Sequence, residues 1–353
     1  MVMQDQSPTT VSVVMACRNE IRHIRECLDS LLEQEWGDLD WEAVVADGMS
    51  DDGTREALAE YCARNPRVRW IDNPGKIVST GLNAAIRLAR GSVIIRMDAH
   101  TLYDPSYCRR CVVTLLRTNA SNAGGPARTR AQSVRQRAVA AAYHSPFSTG
   151  GARFHQAGYR GWVDTVPYGC WHKETLVELG LFDESLIRNQ DDELNLRLLR
   201  QGGKIWQDPD IKSWYSPRGD LKSLFRQYFQ YGYWKVPVLR KHRLPGSWRH
   251  LVPVAFVGGN LALPAVWAAP LGAWSSLAGW TWLGCGAAYA AVIGFASMQA
   301  ARRNGWDLLP FLPAAFATFH FSYGLGMMSG LARRWDNSGG PGYQETVFSR
   351  LSR

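Results

Sequence analysis

Short apolar runs that break off into polar residues dominate the first hundred positions. Val11 to Met15 runs into Ala16-Cys17-Arg18-Asn19-Glu20, Ala43 to Ala46 into Asp47-Gly48-Met49-Ser50-Asp51-Asp52-Gly53-Thr54, and Val93 to Met97 into Asp98-Ala99-His100. Such runs, bounded by turn chemistry, predict strands buried on both faces of a parallel sheet. Between them Ile21, Ile24, Leu28, Leu31 and Leu32 recur at helical spacing, Thr54 to Arg64 follows the Gly53 turn as a helix, and Ser79 to Ala89 forms another, closed by Gly91. Val68 to Ile71 adds a short strand. This alternation predicts a doubly wound α/β sheet. Ligands of such sheets sit at the carboxyl ends of the strands, so three polar strand ends describe one crevice.

Periodicity weakens from 124 to 170, a stretch rich in Gly, Arg and Ser, which reads as long loops over the crevice with some β structure. Short helices follow at Glu174 to Leu179, stopped by Gly180, and at Asp192 to Arg200, stopped by Gly202-Gly203. From 220 to 250, Phe, Tyr and Trp alternate with Lys and Arg, as in an interfacial amphipathic segment. Leu251 to Ala301 then contains no Asp, Glu, Lys or Arg, and neither does Leu308 to Ala332. A spanning helix needs roughly 20 apolar residues, so the first run has room for two spans and the second for one. Pro253, Pro264, Pro270 and the Gly258-Gly259-Asn260 break predict a kinked or re-entrant first span.

Charge refines this picture. The 353-residue chain carries a formal net charge of +9. Nine basic residues between Lys212 and Arg249 face a single acid, Asp220, and lie directly before the uncharged run. The excess is therefore juxtamembrane, which argues for membrane lipid as a partner and against nucleic acid. Placing Arg240 to Arg249 and Arg302-Arg303 inside makes spans at about 251 to 274 and 277 to 300 a hairpin with its turn outside. A third span over 308 to 332 would carry Arg333 and Arg334 outward, so that segment is expected to pack without crossing fully. All three hydrophobic helices are expected near the acceptor side of the catalytic domain. The polar stretch Met1 to Thr10 shows no signal peptide, which leaves the first domain in the cytoplasm. The expected organisation is a catalytic domain over 1–219, the interfacial segment 220–250, membrane helices over 251–332 and a tail over 333–353.

Candidate chemistry gathers at the strand ends. Asp47 can accept hydrogen bonds from the N–H edge of a uracil-like base, while Ser50, Asp52, Gly53 and Thr54 read as caps of the next helix. Asp98 and His100 can each offer one ligand to a divalent cation, with diphosphate oxygens and water completing its shell; the imidazole tilts the choice from Mg²⁺ toward Mn²⁺. Asp191, Asp192 and Glu193 open a helix, where one or two acids suit the macrodipole but three repel one another, so one of them is expected to act as a general base. Seven scattered cysteines form no disulfide framework, and Cys108 and Cys111 read as two small apolar residues on one helix face.

Taken in order and spacing, Ala16-Cys-Arg-Asn-Glu20, Asp47-Gly-Met-Ser-Asp-Asp-Gly-Thr54, Asp98-Ala-His100 and Gln190-Asp-Asp-Glu-Leu194 resemble the inverting family 2 glycosyltransferases over residues 11 to about 235. Arg188-Asn-Gln-Asp-Asp-Glu-Leu-Asn195, the loop Val163-Asp-Thr-Val-Pro-Tyr-Gly169 and the apolar C-terminal part are similar to an ExoA-like branch, the glucosyltransferases of succinoglycan assembly. The resemblance implies a GT-A-type, Rossmann-like, mainly parallel sheet followed by interfacial and transmembrane helices. It implies donor binding by Ala16, Arg18, Glu20, Asp47 and Asp98, metal binding by Asp98 and His100, and catalysis by Asp191 with Asp192 in reserve. Acceptor contacts fall to Gly169, Trp171 and Gln227. Two departures stand out: the family's Asp-x-Asp is Asp-x-His here, and its membrane-edge Gln-x-x-Arg-Trp is reduced to Gln227-Tyr-Phe-Gln230-Tyr231, which argues against processive synthesis.

The implied activity is transfer of a sugar, glucose by resemblance, from a UDP-sugar to a polyprenyl-diphosphate-linked saccharide. It would occur on the cytoplasmic face of the bacterial inner membrane, with Mn²⁺ or Mg²⁺ as cofactor and other polysaccharide-assembly proteins as neighbours. Two alternatives stay open: a polyprenyl-phosphate glycosyltransferase, and a non-catalytic nucleotide-sugar-binding assembly protein.

Overall fold

The computed structural model describes residues 9–243 and 248–333. The expected tail beyond Arg333, Arg334 included, and the first eight residues lie outside that range. The strands are β1 (Thr10–Cys17), β2 (Asp40–Asp47), β3 (Val68–Asp72), β4 (Val93–Asp98), β5 (Thr101–Tyr103), β6 (Asn122–Gly124), β7 (Gly161–Val163), β8 (Cys170–His172), β9 (Ile205–Gln207) and β10 (Ser213–Tyr215). The helices are α1 (Ile24–Leu32), α2 (Thr54–Arg64), α3 (Val78–Leu88), α4 (Tyr107–Thr118), α5 (Val134–Tyr143), α6 (Pro146–Thr149), α7 (Lys173–Glu178), α8 (Gln190–Arg200), α9 (Leu221–His242), α10 (Val252–Ala268), α11 (Ala273–Asn304) and α12 (Leu312–Ala332). Among the described residues they divide into two compact units, one of residues 9–130 and 153–216, the other of 131–152 and 217–333.

In the first unit, eight strands form one sheet in the order β3-β2-β1-β4-β8-β6-β9-β7. Its β3-β2-β1-β4 half is parallel, as the strand-helix alternation predicts, while β8 and β7 run antiparallel to their neighbours. Side chains alternate between faces along a strand, and both faces are covered. Val11, Val13 and Met15 pack with Ile24, Leu28 and Leu31 of α1, Leu58 of α2 and Leu115 of α4. Val14, Val44 and Ile94 pack on the other side with Leu82 and Ile86 of α3 and Leu194 and Leu198 of α8. Cys108 and Cys111 are fully buried on α4 within the first of these clusters.

The register brings the polar strand ends together. Cys17 pairs with Asp47, Ala16 with Asp98, and Asp47 with Asp72. Strand β1 has β2 on one side and β4 on the other, so chain direction diverges there and a crevice opens at the carboxyl ends. A two-stranded antiparallel ribbon of β5 and β10 sets Tyr215 opposite Thr101, one residue past His100.

The reading of 124–170 as loops needs correction, because residues 134–143 form a helix and belong to the second unit. Ser133 and Gln136 make a complete capping box, and Ala138, Ala140, Ala141 and Ala142 are strong helix formers. An alanine run carries almost no hydrophobic periodicity, which is why the helix is hard to see in sequence.

Elsewhere in the second unit, the aromatic-basic segment is a single 22-residue helix, α9, capped by Asp220 and containing Pro237. It packs closely on α12 through small residues. A Cβ on Gly232 would stand 2.1 Å from the Tyr323 carbonyl oxygen, and one on Gly326 2.0 Å from that of Phe229. Between 251 and 301, where the hydropathy predicts two spans, stand α10 with 17 residues and α11 with 32. Among the described residues α11 alone is long and apolar enough by length and composition to cross a membrane, while α10 is at the lower limit of a span.

Candidate active site

The site is built on the ends of β1, β2 and β4 and on the first turn of α8, all in the first unit. The loop after β1 is locked to the loop after β2 by reciprocal hydrogen bonds. The amide of Asn19 donates to the Ser50 hydroxyl (2.8 Å), that of Glu20 to the Thr54 hydroxyl (2.9 Å) and that of Ile21 to the Asp52 carboxylate (3.1 Å). Ser50 and Thr54 are therefore not simple caps. The N-cap position of α2 is Gly53, in the left-handed region, with no side-chain cap bond.

Asp47 is fully buried. Its carboxylate accepts the Ser50 hydroxyl (2.5 Å) and amide (3.0 Å) and pairs with Arg55 (3.3 Å). Direct contact between Asp47 and a base edge is thus not open in this arrangement; the carboxylate shapes the loop around it. Arg55 continues outward, pairing with Asp72 at 2.9 Å and lying over the Trp70 ring. Beside Asp47, burial first and then the charges of Asp47 and Glu20 push the Cys17 thiol up, so it stays neutral and offers no nucleophile.

Asp98 closes β4. Arg96, two residues earlier on the same face, grips it with both forks, Nε to Oδ1 at 2.9 Å and Nη2 to Oδ2 at 3.1 Å. The Asp98 amide donates to the Tyr103 hydroxyl at 2.7 Å. Burial, followed by the neighbouring Tyr168 and Tyr107, holds that phenol far above its ordinary pKa, so it remains neutral. His100 stands with Nδ1 3.6 Å from the Glu20 carboxylate and its ring edge-on to Tyr215. Glu20 is itself largely buried, and Arg18 is half-buried, its side chain under Gly48.

Structure sorts the three acids of α8. Glu193 is fully buried and pairs with Arg197 one turn on (2.8 Å), whose guanidinium also donates to the carbonyls of Leu179 and Leu181. Its role is to hold α8 on the preceding loop. Asp191 is 43% exposed, takes the Asp192 amide on Oδ1 at 3.0 Å and turns Oδ2 toward Arg96 Nη1 at 3.9 Å. Asp192 is half-buried beside it. The guanidinium of Arg96 thus stands between the strand-end carboxylate Asp98 and the helix-start carboxylate Asp191. Burial alone would lower its pKa, but the charges of Asp98 and then Asp191 outweigh burial, and Arg96 stays protonated.

Of the three acceptor-side residues, Gly169 and Trp171 belong to the first unit and Gln227 to the second. Gly169 is the tight joint before β8: its φ is +110°, its carbonyl accepts the Arg96 amide at 3.1 Å, and a Cβ there would lie 2.4 Å from the Trp171 ring. Trp171 is 1% exposed, edge-on to Phe182 in the core under the sheet, so its ring is not available to an acceptor. Gln227 lies on α9 in the second unit, bonded to Arg218 and Tyr231. Arg96 was missed in sequence, although a lone cation inside the apolar run Val93–Met97 is its signature, since buried charges are rare unless paired. Asn122, Asn195 and Thr165 form a further unread chain of hydrogen bonds that ties α8 to the loop before β8.

Comparison with known proteins gives the family and the fold. Residues 12–173 match the model of the Glycosyl transferase family 2. The chain is 34% identical over 283 residues to the succinoglycan biosynthesis protein ExoA of Rhizobium meliloti (strain 1021), covering 78% of this chain and 86% of that protein. It is 26% identical over 255 residues, covering 70% of this chain and 78% of the relative, to a dolichyl N-acetyl-alpha-D-glucosaminyl phosphate 3-beta-D-2,3-diacetamido-2,3-dideoxy-beta-D-glucuronosyltransferase of Methanococcus voltae. The fold matches that of the mannosyltransferase PcManGT from Pyrobaculum calidifontis, solved with GDP-Man and Mn²⁺, with a TM-score of 0.60 and 20% identity over 88% of this chain and 86% of that one.

Proposed function

The chain belongs to glycosyl transferase family 2, and from that membership we propose that it transfers glucose from a UDP-sugar, with inversion, to a polyprenyl-diphosphate-linked saccharide during exopolysaccharide assembly. The observation that carries the reading is the array Asp98–Arg96–Asp191 at the open ends of β4 and α8, two carboxylates held by one buried cation. The half-exposed Asp191 takes the proton of the acceptor hydroxyl as that oxygen attacks the anomeric carbon. The bond from that carbon to the diphosphate breaks on the opposite side, and the nucleoside diphosphate leaves. No enzyme nucleophile takes part.

The donor's nucleoside lies against the ends of β1 and β2, with Ala16 and Arg18 at its edge and Asp47 holding the loop that receives it. Toward a divalent cation the donor set is chemically suitable: a carboxylate and an imidazole separated by one residue. Among the described residues no group of three or more His, Cys, Asp or Glu could hold a metal ion. Asp98 and His100 are the side chains that would hold a divalent cation, Mn²⁺ or Mg²⁺, together with donor oxygens, and it would supply charge neutralisation for the leaving diphosphate. Glu20, facing His100 Nδ1, steadies the imidazole.

Membrane attachment follows from α11 and from the basic helix α9, with the first unit on the cytoplasmic side of a bacterial inner membrane. The test is Asp191→Asn. A general base is worth roughly 100- to 10,000-fold in rate, so transfer should fall by that factor while calorimetry shows unchanged UDP binding. Near-normal transfer, or loss of UDP binding, would remove Asp191 from the role.

A further inference from the structure

We propose that Arg96 is the positioning residue of the transfer site, one buried guanidinium that sets the attitude of both Asp98 and Asp191. The inference deepens the reading above, in which Asp98 serves the donor side and Asp191 is the base.

Four observations carry it. The backbone of Arg96 is held on both sides, paired with Val14 of β1 on one and donating to the Gly169 carbonyl on the other. Its side chain is 5% exposed, a position where an isolated charge would be costly and a paired one is tolerated. Nε and Nη2 are both used on Asp98, and because the guanidinium is planar this determines where the third nitrogen points. That nitrogen, Nη1, is buried without a hydrogen bond and faces Asp191 Oδ2 at 3.9 Å. Pairing with Asp98 uses two of the nitrogens and sets the direction of the third; what that third nitrogen meets is decided by α8, which places Asp191 in front of it. Asp191, whose other oxygen takes the Asp192 amide, is left with Oδ2 turned toward Arg96. Lysine has one nitrogen and cannot hold both carboxylates in one plane, so it keeps the charge and loses the geometry.

The experiment uses the full chain in detergent and compares Arg96→Lys, Arg96→Ala and Asp191→Asn. Readouts are transfer kinetics, UDP affinity by calorimetry in chelator, and melting temperature. Arg96→Lys is expected to lower kcat about 10- to 100-fold, the scale of a misplaced catalytic group, with donor KM and UDP affinity changed by less than about threefold. Arg96→Ala is expected to lose more and to be partly rescued by millimolar guanidinium but not by ammonium at equal ionic strength. A wild-type kcat in Arg96→Lys overturns the proposal. So does a loss of kcat matched by equal losses of UDP affinity and melting temperature with no rescue by guanidinium, because that is the signature of a purely structural ion pair. If Asp191→Asn transfers normally, the assignment of the base fails instead. If Asp191→Asn is inactive while Arg96→Lys turns over normally, only the role given to Arg96 fails.

Discussion

Replacing Gly169 by alanine separates two roles for this residue, acceptor contact and backbone joint. Its φ of +110° lies where a residue with a side chain is strained, at a cost of about 1–3 kcal/mol. The new Cβ would also meet the Trp171 ring at 2.4 Å and the Asn122 side-chain oxygen at 2.7 Å. Neither can retreat. Trp171 is fully enclosed, and Asn122 is bonded to both the Cys170 amide and Asn195. Overpacking of this kind costs about 1–3 kcal/mol, so the total is about 2–6 kcal/mol against a usual stability of roughly 5–15. At roughly 2–4 °C per kcal/mol for a unit of this size, melting followed by scanning fluorimetry should fall by several degrees to about 20 °C. Activity should fall with it, since the Gly169 carbonyl anchors the Arg96 amide. A Gly169→Ala protein with unchanged melting temperature and only a raised acceptor KM would refute this reasoning and restore Gly169 as an acceptor contact.

Three further outcomes are expected. Chelation with EDTA should stop transfer, Mn²⁺ should restore it at least as well as Mg²⁺, and His100→Asp should shift the preference toward Mg²⁺; full activity in chelator would take the cation out of the mechanism. Burial alone would raise the Glu42 carboxyl, but the Arg90 amide, the Ser12 hydroxyl and the Arg69 and Arg90 guanidiniums outweigh burial and hold it below the usual carboxylate range. Its contribution is therefore complete above the unfolded value of about 4.3 and is lost as pH falls through the lower folded value, so Glu42→Gln should flatten the acid limb of a melting-temperature profile; an unchanged limb would count against it. For topology, Leu271→Cys in a Cys285→Ala background should react with an impermeant thiol reagent in intact cells, because Arg302-Arg303 at the other end of α11 favour the cytoplasm; absence of labelling would mean that the turn before α11 does not reach the outside and that α11 does not cross.

The parallel half of the sheet and the place of the site were legible in sequence because both are local. An apolar run of four or five residues has one favourable fate in a doubly wound fold, and the polar residues that stop it must lie at the strand's end. The general positions of Asp98 and His100 needed nothing more. Which partner each side chain takes was decided only by packing. Asp47 and Glu193 look like open acids in sequence, yet the fold turns one into its own loop and the other onto Arg197. Trp171, an acceptor contact by resemblance, is core. Arg96, a cation in an apolar strand, acquires meaning only when α8, a hundred residues on, delivers Asp191 to its free nitrogen. Likewise the close seating of α12 on α9 depends on where glycine backbones meet across helices, which composition and hydropathy do not encode. Local pattern determines which element a residue belongs to, and the chemistry of a buried charge depends on neighbours that are distant along the chain.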